Sequence, residues 1–354
     1  MIELLKQCVG IDISKATFSA CICRLNMKQD IHFSESKNFE NTKKGFNQLV
    51  RWVNKLTDKR TKTVYLMEAT GVYYESLAYH LNKIKKTVHV VLPNKSKHYL
   101  SSLNIKTKTD AIDAKGLAQF GVERKFTTWQ PPRPIYKKLK EITRHRTGLQ
   151  ETKTMFLNRL SAIKSSEQAD KFVEKSLESI VKKIVVQIKK CEEQMLSLIQ
   201  SDSILNEKVD KVSSIKGVGA LSATIIIAET SGFEHFHSIK QLISFAGLDV
   251  VERQSGSSVN GKTRISKKGN SHIRRGLYFP AILATRFNPK FTQIYARHLQ
   301  NGKKKMVALV AIQRRLLALM YTLWKKDEHF IENYEILKNE VAPELAEATL
   351  DSEN

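Results

Sequence analysis

Apolar residues in the first third of the chain fall into short runs, which predict strands separated by amphipathic helices. Three strands are expected first, because Cys8–Ile13 and Thr17–Leu25 are rich in β-forming residues and Asp30–Asn38 alternates. The remaining predicted elements are helices at Thr42–Leu56, Tyr73–Ile84 and Asp110–Arg124, and strands at Thr63–Met67 and Thr87–Leu92, the last stopped by Pro93. This order predicts an α/β domain with a mixed sheet over residues 1–130.

The later parts of the chain have the apolar spacing of helices. After the prolines at 131, 132 and 134, this spacing continues to about Ser201 and predicts two long helices in a hairpin or coiled coil. Coiled coils commonly join subunits, so residues 131–205 predict a homo-oligomer, either a dimer or a tetramer. Residues 206–326 predict a mainly helical domain, and residues 327–354 form an acidic tail.

The charge of the chain points to its partner. Its 354 residues include 59 Lys and Arg against 35 Asp and Glu, a formal net charge of +24. The stretch from Arg253 to Lys326 contains no acidic residue. A solvated basic face is one interpretation, but so long a stretch without acids favours binding to nucleic acid, which should weaken steeply with salt.

The composition disfavours secreted, membrane and disulfide-built proteins. No apolar run reaches the roughly 18–20 residues of a membrane span, and the amino terminus lacks the features of a signal peptide. The four cysteines offer no pair of metal-ligand pairs, and Cys21 and Cys23 are interpreted as buried strand thiols. We therefore expect a cytoplasmic protein, of the bacterial cytosol or nucleoid, without a membrane partner.

Four carboxylates are candidate metal ligands. Asp12 interrupts one apolar strand and Glu68 closes another, and a buried acid is unfavourable unless something pairs with it. Asp110 and Asp113 lie three residues apart at the start of a helix, and therefore on one face. Such oxygen-rich sites suit Mg²⁺ or Mn²⁺, and two of these ions about 3.5–4 Å apart can hold both reacting oxygens of a phosphodiester. The layout resembles the RNase H-like fold in its RuvC-type form.

Each of these acids also has a structural interpretation. Thr109 or Asp110 can cap the helix, with Asp113 as the capping-box partner. Glu68 can form a salt bridge with a lysine. The occurrence of all four acids in this order favours the metal site over these alternatives.

The segment from Val212 to Ala223 resembles a helix-hairpin-helix. Its Gly217-Val218-Gly219 turn opens a second helix whose backbone N–H groups can face phosphate, with Lys216 beside them. A tight turn between packed helices is the alternative. Binding of the first kind would contact the nucleic-acid backbone without reading sequence.

A polar, glycine-bearing segment from Gln254 to Lys262 predicts a loop. Chemistry alone does not distinguish Ser255 from Ser257 or Ser258 as a reactive group. A nucleophilic serine here would need another base, or a metal and arginines that stabilise the leaving oxygen, because no His-Asp pair lies nearby in the sequence.

Taken together, these segments resemble the DEDD-type transposases of the insertion sequence 110 family, which are related to the Piv DNA invertases. The resemblance extends from about Val9 to about Trp324. The segments that carry it are Gly10–Lys15, Met67–Tyr73, Lys108–Ala114, Ile215–Gly219, Phe245–Leu248, Gln254–Gly256 and Ile265–Asn270. One departure is that Asp249-Val250-Val251 replaces the proline usual after the Ala-Gly-Leu segment.

The resemblance implies a mobile-element recombinase with a RuvC-like catalytic domain, a coiled-coil insertion and a C-terminal transposase domain. It implies Asp12, Glu68, Asp110 and Asp113 as ligands of Mg²⁺ or Mn²⁺, and Ser255 as the nucleophile that becomes linked to DNA. In part of the family a structured non-coding RNA bridges donor and target DNA, so a guide RNA is an expected partner. The expected nucleic-acid contacts are Lys216, Gly217, Gly219, Arg253, Lys262, Arg264, Lys267, Lys268, Arg274 and Arg275.

Two other functions compete with this one. A RuvC-like endonuclease specific for Holliday junctions would use water instead of serine as its nucleophile. A non-catalytic nucleic-acid-binding protein on a decayed fold is disfavoured, because all four acids are present.

Overall fold

The structure is a computed structural model that describes residues 3–255 and 259–332, and the side chains of residues 253–255, 259, 260 and 262 lie outside that description. The chain forms two compact units, Met1–Pro131 and Pro132–Asn354. Each unit has buried hydrophobic clusters of its own.

Unit 1 contains a six-stranded mixed sheet. Its strands are β1 (Leu4–Ile13), β2 (Thr17–Asn26), β3 (Ile31–Phe33), β4 (Lys37–Glu40), β5 (Thr63–Glu68) and β6 (Thr87–Val91). The order is β3-β2-β1-β5-β6, with β4 also paired to β2. The β1–β2 pair is antiparallel, whereas β5 runs parallel to both β1 and β6. The predicted mixed sheet is confirmed.

Helices cover both faces of this sheet because side chains alternate along each strand. They are α1 (Lys43–Leu56), α2 (Glu75–Lys83), α3 (Pro93–Ser102) and α4 (Asp110–Glu123). Val9 and Ile11 belong to a buried cluster with residues of α1 and α2, whereas Cys8 shares a cluster with α4. Cys21 and Cys23 are buried free thiols, as predicted.

One prediction for unit 1 is wrong and one helix was not predicted. Asp30–Asn38 is not one strand, because β3 and β4 are separate short strands with Glu35 between them. Strand β6 ends before Pro93, as predicted, but Pro93 is also the first residue of the unpredicted helix α3. Proline suits that position, because the first helical N–H has no partner within the helix.

Unit 2 is mainly helical. It contains α5 (Pro134–Lys164), α6 (Lys171–Gln200), α7 (Ser203–Ser213), α8 (Ala220–Glu229), α9 (Ile239–Ala246), α10 (Ser271–Gly276), α11 (Tyr278–Phe287), α12 (Pro289–Gln300) and α13 (Lys305–Lys326). The two long helices α5 and α6 form an antiparallel hairpin, held in part by salt bridges from Arg146 to Glu192 and from Lys164 to Glu178. A coiled coil between subunits stays a prediction.

Unit 2 also contains a two-stranded antiparallel ribbon, β7 (Val250–Ser255) and β8 (Val259–Ile265). The loop predicted over Gln254–Lys262 is therefore wrong for most of its length. Its polar residues lack the alternation that marks a half-buried strand, but a ribbon needs no buried face to form its ladder of hydrogen bonds.

Among the described residues, α13 alone is long and apolar enough to cross a membrane. It is instead a core helix of unit 2, because Ile312, Leu316 and Met320 are completely buried in the main hydrophobic cluster of that unit.

Candidate functional site

A close approach of helix α4 to strand β1 brings acidic residues together. Gly10 faces α4, and a Cβ at this position would lie 2.0 Å from the Ala118 nitrogen and 2.2 Å from the Ala114 carbonyl oxygen. Gly121 of α4 lies against the side chain of Cys8, whose sulfur would be 2.1 Å from a Cβ at this glycine. The helix therefore runs antiparallel to the strand, and its first turn comes next to Asp12.

Three of the four predicted carboxylates act electrostatically on the fourth, Asp12. Burial raises the pKa of Asp12 to about 6, and the negative charges of Asp113, Asp110 and Glu68 contribute to this rise. Lys108 opposes that rise in the pKa of Asp12. Burial likewise raises the pKa of Asp113. The structure thus brings Asp12, Glu68, Asp110 and Asp113 to one end of the sheet.

Hydrogen bonds fix the position of Glu68 at the end of β5. The buried Ser96 hydroxyl of α3 donates to Glu68 Oε2 at 2.6 Å, and Thr70 Oγ1 donates to Oε1 at 3.0 Å. The pairing of β1 with β5 fixes the position of Glu68 relative to Asp12, because the preceding residues, Met67 and Ile11, lie opposite each other. Sequence reasoning missed Ser96, and no motif marks it.

The helix cap at α4 matches one structural interpretation of this motif. Thr109 is the N-cap, and its hydroxyl accepts a hydrogen bond from the Ile112 N–H at 3.3 Å. Since Thr109 caps the helix, neither Asp110 nor Asp113 has to supply the capping oxygen. Their carboxylates are available for another role.

The oxygen atoms of the four carboxylates are of the type that a hard divalent cation prefers, but they are not close enough together here to bind one. Carboxylates that repel each other in a half-buried site are stabilised by a positive ion. Within the described part of the chain, however, no three His, Cys, Asp or Glu side chains are placed to hold a metal together.

Ser255 is the last residue of β7, and its backbone pairs with Val259 of β8. Its side chain, together with Gly256, lies outside the described residues. Ser255 belongs to unit 2 and the four carboxylates belong to unit 1.

The base of the β7–β8 ribbon is formed by two of the sequence motifs. Asn270 N–H donates to the Phe245 carbonyl at 2.7 Å, and Lys267 N–H donates to the Gly247 carbonyl at 3.1 Å. A Cβ at Gly269 would lie 2.5 Å from the Gly247 nitrogen, so the backbones are in direct contact. Ser266 Oγ donates to the Asp249 carboxylate, which fixes the position that departs from the family pattern.

The basic residues of unit 2 differ in what they contact. Arg274 is committed to structure, because it donates to the Ala246 carbonyl at 2.8 Å and to the Gly269 carbonyl at 3.2 Å. Arg275 is exposed and forms a salt bridge with Glu151 of α5. Arg264, Lys267 and Lys268 are wholly or partly exposed to solvent, whereas the side chains of Arg253 and Lys262 lie outside the described residues.

A buried ion pair that sequence reasoning missed supports this basic region. The side chain of Glu229, at the end of α8, is 1% exposed and is bound by Arg144 at 2.7 and 2.9 Å. Asn270 also donates to Glu229 at 2.7 Å, while its own oxygen caps α10. Burial raises the pKa of Glu229, but hydrogen bonds from Arg144 and Asn270 lower this pKa, with a net result below the ordinary value.

The turn between α7 and α8 gives its two glycines different roles. Gly217 has φ +97°, and a Cβ there would lie 2.6 Å from the Ala284 nitrogen of α11, so helix packing requires this glycine. Gly219 is the N-cap of α8 and provides no side-chain cap. Among the described residues, no atom lies within 4 Å of the point that a Cβ of Gly219 would occupy. No described residue therefore blocks an anion from the first turn of α8 on the Gly219 side.

The first residues of the acidic tail lie against this turn. Lys216 Nζ contacts Glu332 Oε2 at 2.6 Å, and the Phe330 N–H donates to Ser214 Oγ at 2.8 Å. Asp327 contacts Lys211 at 3.1 Å on the preceding helix. The lysine predicted to bind phosphate is thus paired with a carboxylate of the same chain.

Comparison with known families accounts for most of the chain. Residues 9–163 match the family described as Transposase, with the DEDD motif of insertion sequence IS110, and residues 209–296 match Transposase IS116/IS110/IS902 family. The pilin gene-inverting protein of Moraxella bovis is 30% identical over 332 residues, which are 92% of this chain and 98% of that protein.

Other similarities are shorter or weaker. A transposase for an insertion sequence element of Coxiella burnetii is 32% identical over 31% of this chain and 28% of that protein. The RuvC structure of Thermus thermophilus matches 32% of this chain and 90% of its own, at 13% identity and a TM-score of 0.25, too low to support a conclusion. On the family matches and the full-length relative, this chain belongs to the insertion sequence 110 family of transposases and is a DNA recombinase.

Proposed function

We propose that this recombinase cleaves and exchanges DNA strands by metal-assisted phosphodiester transfer through a covalent Ser255–DNA intermediate, on an RNase H-like catalytic unit. The observation that carries the metal-assisted part is the nearness of Glu68, Asp110 and Asp113 to Asp12, whose pKa the negative charges of all three raise. A structural salt bridge does not account for this cluster, because three carboxylates act on Asp12 and only Lys108 opposes them.

The carboxylates would hold Mg²⁺ or Mn²⁺, which when bound neutralises their repulsion and polarises a phosphodiester. Asp12 supplies a rigid strand position, and Ser96 and Thr70 keep the Glu68 oxygens oriented. Asp110 and Asp113 are positioned by the first turn of α4, whose end is fixed by the Thr109 cap.

In the covalent step, the Ser255 oxygen attacks phosphorus and the bond from phosphorus to the leaving strand oxygen breaks. The serine loses its proton to solvent or a neighbouring base, and the departing strand oxygen gains one. A hydroxyl of the partner strand then displaces the serine by the reverse exchange of bonds. The bond energy is kept in the phosphoserine, so no external energy source is required.

The partner is DNA, and we propose three further features of its binding. The exposed Arg264, Lys267 and Lys268, with the open turn at Gly219, contact backbone phosphates. A structured guide RNA selects the target. The α5–α6 hairpin mediates a homo-oligomer, and exposed apolar residues such as Phe172 and Leu196 on α6 favour this assembly.

The test of the serine step uses suicide DNA substrates that trap covalent adducts. Ser255→Ala should abolish the adduct, whereas the neighbouring Ser257→Ala and Ser258→Ala should retain it and act as matched controls. An adduct formed by the Ser255→Ala protein would refute the proposal. If Ser255→Ala kept cleavage without an adduct while Asp12→Asn lost it, the water-using junction endonuclease would be the better description.

A further inference from the structure

Helix α11 presents an exposed apolar stripe to solvent. Phe279, Leu283 and Phe287 lie four residues apart and are 70%, 40% and 61% exposed. Residues four apart in a helix lie on one face, so the three side chains form a row about 12 Å long. The opposite face is used for packing, since Leu277, Ala281 and Ala284 are completely buried.

The basic residues that neighbour this stripe in the sequence are exposed. Arg286 lies between Leu283 and Phe287 and Lys290 follows them, whereas Arg275, which precedes the stripe, is paired with Glu151 of α5. No acidic residue occurs between Arg253 and Lys326. A polyanion complements such a surface, whereas a second copy of the same face would bring like charges together.

The stripe also adjoins the turn between α7 and α8. Gly217 packs on the backbone of Leu283 and Ala284 in α11. Gly219 follows Gly217 by two residues, so the first turn of α8 lies near the Leu283–Phe287 end of the stripe. A phosphate backbone at the turn would place its bases within reach of these side chains.

We propose that Phe279 and Phe287 form a stacking platform for unpaired bases of DNA. Aromatic side chains stack on base faces, which a duplex hides between neighbouring pairs and a single strand exposes. A recombinase must separate a cleaved strand from its complement before joining it elsewhere, so unpaired DNA is present during the reaction. The three side chains are far fewer than the roughly 20–30 residues that each partner contributes to a stable protein interface.

Binding of a fluorescent oligothymidine to the full-length protein tests this proposal. The Phe279→Ala/Phe287→Ala double variant should bind single-stranded DNA about tenfold or more weakly, with duplex affinity changed less than about twofold because phosphate contacts persist. Ile204→Ala is the matched control, since Ile204 is an apolar residue that is 62% exposed on α7, outside the basic stretch. The wild-type protein should bind an abasic strand of equal length more weakly than oligothymidine, whereas the double variant should bind the two strands equally.

Several results would overturn the platform. Equal losses for duplex and single strand would indicate a general phosphate contact, and a loss confined to single-stranded RNA would assign the stripe to RNA. A change in oligomeric state by light scattering, without loss of single-strand binding, would assign it to a second copy. Phe279→Tyr/Phe287→Tyr, which keeps both rings, should restore binding, and failure to do so would contradict stacking. Adduct formation by Ser255 is measured separately, so either proposal can fail alone.

Discussion

At the scale of single residues, Glu229 shows what a buried charge requires. Its side chain is 1% exposed and depends on Arg144 and Asn270 for hydrogen bonds. The position lies at the end of an apolar helix, and its arginine partner is 85 residues away in the sequence. No local pattern joins the two, which is why sequence reasoning predicted the exposed basic surface but not its support.

Arg144→Ala should lower the free energy of unfolding by about 2 kcal/mol at pH 7, because Glu229 loses its principal partner while still buried. Arg146→Ala is the matched control on the same helix and should lose less than about 1 kcal/mol, because its partner Glu192 is 40% exposed. Urea unfolding measures both.

The loss caused by Arg144→Ala should depend on pH. The pKa of Glu229 is lowered in the folded state, so the ion pair stabilises the protein fully above the unfolded pKa of about 4.3. Its contribution disappears as pH falls through the lowered folded pKa. An unfolding difference between wild type and variant that stays constant down to about pH 2 would contradict this origin.

Asp12→Asn should abolish cleavage yet stabilise the metal-free protein by about 1 kcal/mol at about pH 7.5, after allowance for solvent screening. The pKa of Asp12 is raised to about 6, so the folded state binds this proton more tightly than the unfolded state. Wild-type stability should therefore fall as pH rises from about 4 to 6. Thermal melting in EDTA at about pH 4 and pH 7.5 measures the difference, which should vanish at the lower pH.

Glu35→Gln is the control for this experiment, since it makes the same charge change at an exposed position of unit 1. It should leave both cleavage and the pH dependence of melting unchanged. Equal stabilisation by the two variants would show that net charge, and not the carboxylate cluster, is responsible.

At the scale of elements, the contact of α4 with β1 determines where the carboxylates meet. Gly10→Ala should destabilise unit 1 by about 3 kcal/mol and abolish cleavage, because its Cβ would collide with the backbone of Ala114 and Ala118. The helix must shift, and Asp110 and Asp113 would shift with it. Thermal melting and a DNA cleavage assay measure the two effects.

Gly148→Ala is the matched control in helix α5. No atom of the described residues lies within 4 Å of a Cβ at Gly148, so alanine should add about 0.5–1 kcal/mol of stability through its helix propensity. Cleavage should be unchanged. A Gly10→Ala protein as active as the Gly148→Ala protein would show that this close approach does not position the acids.

Most elements of unit 1 could be predicted from the sequence, because each strand buries one or both of its faces and most of the helices have an apolar stripe. Helix α3 was not predicted, because it has few apolar residues and because a proline such as Pro93 is as typical of a strand end as of a helix start. The β7–β8 ribbon was not predicted either, because a surface ribbon needs no buried face. The four acids could be named from their strand and helix-start positions, whereas Ser96 could not, since only the fold brings it to Glu68.

At the scale of the whole molecule, opposite charges occupy different parts of the chain. The stretch from Arg253 to Lys326 is free of acids, and the segment that follows it is acidic. Glu332 of that segment pairs with Lys216, which the sequence predicts to be a phosphate contact. Nucleic acid must open this pair before it can use the lysine.

Glu332→Gln should therefore bind duplex DNA more tightly at low salt and with a steeper salt dependence. The slope of log K against log salt should increase in magnitude by about 1, as expected when one more lysine neutralises phosphate. Glu328→Gln is the control, because Glu328 contacts Lys326 at 3.9 Å and not Lys216. Identical slopes for the two variants in filter binding between about 50 and 200 mM salt would exclude the competition.

The Lys216–Glu332 pair means that the protein carries an intramolecular counterion. When DNA takes the lysine, the freed carboxylate gathers a cation from solution and offsets the one that the DNA gives up. At this one contact, binding then resembles an exchange of one anion for another, and little salt is released. The other phosphate contacts still release salt, so the pair should reduce the salt dependence of DNA binding by about one ion and leave the rest in place.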